Sequence, residues 1–234
     1  MEKFEEQVKE ICDIYKSAYE LYEKGTYVYS IDEKTGIQAL EHAAPVILQK
    51  SGSVLKVEQE YKRHGTTGII AARNVSTGEI EAPMIQPTRT EEDFKNHIEK
   101  LVNLHPDAEH ILIMDNLNTH VSEMLVRLIA EKCDIQDDLG IKRKRGILKS
   151  METREKFLTD SSHMIRIVYT PKHCSWLNQI EIWFGILSRK LLNKRSSFKT
   201  IQELESKIKK FIEYYNRYLA KPFKWTYSGK LLKA

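Results

Sequence analysis

Three acidic residues in this 234-residue chain, Asp32, Asp115 and Glu181, have the type and setting that divalent-metal chemistry requires. Carboxylates brought together repel, by roughly 4 kcal/mol for two unit charges about 4 Å apart at an effective dielectric near 20. A shared proton could relieve that repulsion. Oxygen-rich clusters more naturally hold Mg²⁺ or Mn²⁺, which keeps waters and accepts phosphate oxygens as further ligands. A phosphodiester is then the fitting substrate, with two ions dividing the work of activating the attacking oxygen and stabilising the leaving one. Each acid alone also fits a plainer role, as the cap of a following helix or as part of a solvated helix face.

The elements around these acids decide between the two readings. Thr26–Ile31 (TYVYSI) alternates β-branched and aromatic residues, and His110–Met114 (HILIM) is a short apolar run of the kind buried on both faces of a parallel sheet. Asp32 and Asp115 follow these two strands directly. If the strands are neighbours, the carboxylates emerge side by side at their carboxyl ends, where active sites of such sheets gather. Glu181 lies in a predicted helix from Ser175 to about Asn193, with Trp176, Ile180, Trp183, Phe184, Leu187 and Leu191 forming an apolar stripe. Glu181 falls on the other side, with Asn178, Gly185 and Ser188. Mid-helix Gly185 costs on the order of 1 kcal/mol relative to alanine, which points to close packing or ligand access.

The remaining elements complete an α/β order. An amphipathic helix runs to Gly25; strands are expected at Thr67–Val75, Glu79–Gln86 and Met164–Tyr169; helices at Thr90–Leu104, Val121–Lys132 and Thr200 to about Leu219. This divides the chain into a lead-in helix (1–25), a body (26–220) interrupted by a polar stretch at about 133–162, and a tail (221–234). Net charge is +4, which permits a polyanionic partner without requiring one. Cys12, Cys133 and Cys174 are far apart and form no C-x-x-C pair, which argues against a disulfide framework and a zinc knuckle and fits a reducing cytoplasm. No stretch reads as a signal peptide or a membrane span.

The strings SIDEKTGIQALE, ILIMDNLNTH, YTPKHCSWLNQIEIWFGILSRKLL and YNRYLAKPFKWTYSGK, in this order, resemble the insertion-sequence transposases of the mariner superfamily, whose catalytic domain is a DDE superfamily endonuclease. The resemblance implies a ribonuclease H-like fold, a mixed five-stranded sheet flanked by helices. It also implies two Mg²⁺ ions, with Mn²⁺ able to substitute, held by Asp32, Asp115 and Glu181. The implied activity is DNA nicking followed by attack of the freed 3′-hydroxyl on target DNA. Expected partners are DNA, a second copy of the chain on that DNA, and a separate helix-turn-helix chain, because only about 25 residues precede the first strand. A bacterial, cytoplasmic setting, nucleoid-associated when DNA is bound, accompanies this reading. An endonuclease that cuts without joining, or a non-catalytic DNA-binding remnant, are the alternatives. The chain departs from the family in the 65 residues (116–180) between Asp115 and Glu181, a longer spacing than usual.

Other residues carry weaker signals. Asn118 either orients a water or caps a helix, and His120 reads as a supporting group beside Asp115. Glu33 points away from Asp32 by strand alternation and is left out of the triad. Asn178 is placed to steady the Glu181 carboxylate or bond a phosphate. Lys172, Arg189, Lys190, Lys194 and Arg195 are the expected DNA-phosphate contacts, ahead of the loop run Lys142–Arg145. Trp176 and Trp183 are expected in the core.

Overall fold

The computed structural model describes residues 2–43, 60–193 and 196–229. Its centre is a mixed five-stranded sheet of order β3-β2-β1-β4-β5, a ribonuclease H-like arrangement. The strands are β1 (Thr26–His42), β2 (Tyr61–Asn74), β3 (Ile80–Gln86), β4 (Glu109–Met114) and β5 (Ile165–Tyr169). β1 lies antiparallel to β2 and parallel to β4, β2 is antiparallel to β3, and β4 is parallel to β5.

Alternation along β1 assigns its residues to two faces. Tyr29 and Ile31 join Leu112, Met114, Ile167 and Tyr169 against α2 (Glu91–Val102), α3 (Glu123–Lys132) and α4 (Met151–Leu158). On the reverse face, Val28, Ile113 and Val168 meet α1 (Glu2–Glu23), while Ile69, Ala71 and Ile80 meet α5 (Ile180–Lys190) and α6 (Ile201–Tyr218). Helices thus cover both faces, as a sheet with central parallel strands requires. Thr90, Ser122, Ser150 and Thr200 cap α2, α3, α4 and α6 with their own hydroxyls, but α5 has no such cap from Gln179. Among the described residues no helix is long and apolar enough to cross a membrane.

Several elements differ from the sequence expectation. β1 does not stop at Ile31 but runs on to His42, because β2 supplies an antiparallel partner throughout; shifts of register at Lys34/Ile37 and Gln38/Leu40 absorb the irregular pattern. The polar stretch at 133–162 is no mere loop: it contains α4, and Leu148, Phe157 and Leu158 enter the core. The helix expected from Ser175 is broken into a short turn, Ser175–Leu177, and α5, with Asn178 between them in extended backbone (φ −84°, ψ 105°). Trp176 therefore leaves the apolar stripe and is 51% exposed, whereas Trp183 is fully buried as expected. Residues 221–229 have no regular structure, yet Trp225 and Tyr227 pack against the α1 cluster.

Candidate active site

The parallel pairing of β1 with β4 runs from Thr26↔Glu109 to Ser30↔Ile113. Continued by two residues, that register sets Asp32 opposite Asp115, on strands whose spacing is about 4.8 Å. Asp32 Oδ1 accepts the Glu33 N–H at 2.8 Å and Oδ2 accepts Asn178 Nδ2–H at 3.1 Å. Burial pushes the Asp32 pKa up to about 7; the Glu33 N–H opposes this, and the charges of Asp115 and Glu33 add to it. This carboxyl lacks an adequate countercharge, the situation that a bound cation relieves.

Asp115, just past β4, is half-buried, and its Oδ1 lies 2.7 Å from His120 Nδ1, which also approaches the Asp115 carbonyl at 2.9 Å. His120 Nε2 lies 3.3 Å from Glu33 Oε2. Burial works against a charged imidazole, but the two flanking carboxylates outweigh it and push the His120 pKa up to about 10. The ring is fully enclosed, packs on Phe94 at 4.1 Å, and its backbone carbonyl accepts the Tyr169 hydroxyl at 2.7 Å. Excluding Glu33 as a neighbour of Asp32 on one face agrees with strand alternation. What sequence reasoning missed is that the other face is where His120 lies, so Glu33 reaches Asp115 through the imidazole.

Asn178 is buried at the junction of β1 and α5. Its Nδ2 donates to the Ile31 carbonyl and to Asp32, its Oδ1 accepts the Ser30 hydroxyl, and its own carbonyl accepts the Glu181 N–H at 3.1 Å. Asn178 is therefore not on the Glu181 helix face, as its spacing suggested, but precedes the helix and steadies Asp32. Glu181 is exposed in the first turn of α5, where the helix dipole favours an acid. Among the described residues no three His, Cys, Asp or Glu side chains are gathered tightly enough to hold a metal as they stand. Asp32 and Asp115 are brought together, and Glu181 waits one turn beyond Asn178. The donor set, carboxylate oxygens with one acid under-neutralised, suits a hard divalent cation.

Beside Asp115 opens a cleft of about 300 Å³ lined by Asn116, Leu117, Thr170, Lys172, His173 and Ser175. Lys172 thus lines the cleft beside Asp115, while Arg189 and Lys190 are exposed in the last turn of α5, about 12 Å along the helix from Glu181. Lys194 and Arg195 lie outside the described residues. Lys142 faces Glu91 and Glu123 at 4.0 and 3.8 Å, and Arg145 pairs with Asp138, so part of that basic run is answered within the protein. Asn118 is the exposed first residue of a short 3₁₀ turn, while Ser122 caps α3. A Cβ at Gly185 would meet only the end of the Arg189 side chain at 3.2 Å, so backbone packing does not demand this glycine.

The sequence profile described as DDE superfamily endonuclease matches residues 27–205. No curated protein matches the chain. Among solved structures, the Mos1 transposase paired-end complex with left transposon end is similar over 96% of this chain and 58% of that one, at 14% identity and TM-score 0.55. The Mos1 strand transfer complex covers 93% and 57% of the two chains at 14% identity and TM-score 0.53. The Mos1 mariner paired end complex with Mn covers 96% and 58% at 13% identity and TM-score 0.54. At such identities the likeness is one of fold, and this chain spans less than three fifths of those chains.

Proposed function

This chain belongs to the DDE superfamily endonucleases, and from that premise we propose that it is the catalytic domain of a transposase, cutting DNA and joining a freed 3′-hydroxyl to a second DNA strand. The observation that carries the reading is the placement of Asp32 and Asp115 just beyond the parallel β1–β4 ladder, with Asn178 bonded both to Asp32 and to the backbone of Glu181. Asp32, Asp115 and Glu181 would hold two Mg²⁺ ions, or Mn²⁺ in their place. Bound there, the cations supply the charge that activates a water or 3′-hydroxyl and steadies the leaving oxygen of a phosphodiester.

The chain's own residues supply the rest. Asp32 is held by Glu33 N–H and Asn178, and Asp115 by the His120 cation, so two of the three acids are oriented before substrate arrives. Glu181, exposed in the first turn of α5, would supply the third carboxylate. Lys172, beside Asp115, and Arg189 and Lys190, in the last turn of α5, would engage phosphates, and Lys194 and Arg195 are proposed as further phosphate contacts. In this reading 26–220 is the catalytic unit, helix 1–25 and tail 221–234 are accessories, a second copy joins it on DNA, and a helix-turn-helix chain recognises the ends. The fold shared with Mos1, a protein captured with transposon ends and with Mn, supports transposition over simple cutting.

A supercoiled-plasmid assay tests this. Nicking should require Mg²⁺ or Mn²⁺ and fall by on the order of 10²–10³ in Asp115→Asn and in Glu181→Gln, matching the loss of several kcal/mol of charge stabilisation. Supplied with a pre-nicked end, wild type should also give strand-transfer products. Nicking that persists in both variants would refute the triad, and nicking without transfer would leave an endonuclease.

A further inference from the structure

The first turn of α5 is anchored from outside the helix. The Ile180 N–H, one of the donors a helix start leaves unpaired, is accepted at 2.8 Å by the Ser30 hydroxyl of β1, which in turn donates to Asn178 Oδ1. Gln179 contributes no side-chain cap of its own. Two residues further back, the Tyr15 hydroxyl of α1 donates to the Leu177 carbonyl at 2.7 Å. Ser30 is fully buried and Asn178 nearly so.

Both N–H groups and the oxygen of the Asn178 amide are engaged. Its two Nδ2 hydrogens go to the Ile31 carbonyl at 2.9 Å and to Asp32 Oδ2 at 3.1 Å, and Oδ1 takes the Ser30 proton. Rotating the amide by half a turn would set its oxygen against the Ile31 carbonyl and the Asp32 carboxylate, both acceptors, so the observed orientation is the one that satisfies these partners. Through its carbonyl the same residue bonds the Glu181 N–H at 3.1 Å. Asn178 is thus a direct link between a side chain of the parallel-strand pair and the backbone that carries the acid on α5.

We propose that Ser30 and Asn178 form a latch of positioning residues that sets the separation and orientation of Asp32 and Glu181, and hence the affinity of the carboxylate site for divalent cations. The inference rests on the metal-binding reading above. Neither residue touches the cation; Ser30 acts through Asn178 and through the α5 terminus, and Asn178 through Asp32 and Glu181. Without the latch, Asp32 loses the donor on Oδ2 and α5 loses its registry with β1, so the ligands must pay an ordering cost when a cation binds.

Mn²⁺ titration calorimetry on the full chain tests this, with circular dichroism to confirm folding. The variants are Ser30→Ala, Ser30→Thr, Asn178→Ala and, as a control, Asp32→Asn. Folded Ser30→Ala and Asn178→Ala should bind Mn²⁺ about 10-fold or more weakly, whereas Ser30→Thr, which keeps the hydroxyl, should remain near wild type. Plasmid nicking should follow: raised Mg²⁺ should recover most of the rate in Asn178→Ala but not in Asp32→Asn. Wild-type Mn²⁺ affinity in both alanine variants, with Asp32→Asn impaired, would overturn the latch alone. Equal binding by wild type and Asp32→Asn would overturn the metal reading and the latch with it. Failure of both alanine variants to fold would assign the pair a structural role and also overturn the proposal.

Discussion

At the scale of single residues, the acids are held by unequal means. Asp115 has a cation beside it in His120, while Asp32 has only hydrogen-bond donors and keeps its proton up to about pH 7. Replacing His120 by alanine removes the charge that bridges Asp115 and Glu33 and leaves Glu33 buried without a partner. Its nicking rate should fall about 10–100-fold, with weaker metal binding. The pH dependence of the metal-free protein follows with a definite sign. Asp32 is raised in the fold from 3.8 to about 7, so its contribution to stability falls as pH climbs through that window. His120, raised from 6.5 to about 10, stabilises fully below 6.5 and loses that contribution as pH climbs to 10. If Asp32 is a ligand, as proposed, Mg²⁺ would take its ionised form, so added Mg²⁺ should raise the melting temperature more at pH 8 than at pH 6. An equal or reversed shift would show that Asp32 does not titrate where its burial places it.

Among the elements, the legible ones were those whose pattern is set by neighbours in sequence. The alternation of TYVYSI, the apolar run HILIM and the stripe of Trp183, Phe184 and Leu187 placed β1, β4 and α5, and with them the acids. What stayed hidden depends on contacts far along the chain. Nothing local tells that residue 178 will donate to the Ile31 carbonyl rather than continue a helix, or that Ser30 will cap a helix 150 positions away. The 133–162 stretch was unreadable for another reason: only a few of its residues are apolar, and their burial becomes visible when α4 meets α3 and the 3₁₀ turn after β4. Two predictions follow from these assignments. Leu158→Ala, in a residue with no exposed surface, should cost about 2–5 kcal/mol in urea unfolding, a cost a dispensable loop would not show. Trp183→Ala should cost about 3–5 kcal/mol, whereas half-exposed Trp176→Ala should cost far less, reversing their apparent equivalence on a helical wheel.

For the whole molecule, a net charge of only +4 means that DNA affinity cannot come from bulk attraction and must depend on where the cations stand. Lys172 lies at the Asp115 cleft, and Arg189 and Lys190 lie at the far end of α5. Each alanine substitution among these three should weaken duplex binding about equally for any sequence and lower the slope of log affinity against log salt by about 1. A substitution that leaves the slope untouched removes that residue from the DNA path. The Asn178 junction also has a consequence in time. Asp32 is aligned with Asp115 and bonded to Asn178 only after the β1–β4 pairing has closed a long stretch of chain and α5 has docked on β1, both contacts of large sequence separation that form slowly. During synthesis, the first strand and its aspartate emerge long before the segment that completes them. On the proposed function, a nascent or prematurely ended chain carries Asp32 and Asp115 without the Asn178 junction that orients the first of them, and competence to cut DNA would arrive only with the last quarter of the polypeptide.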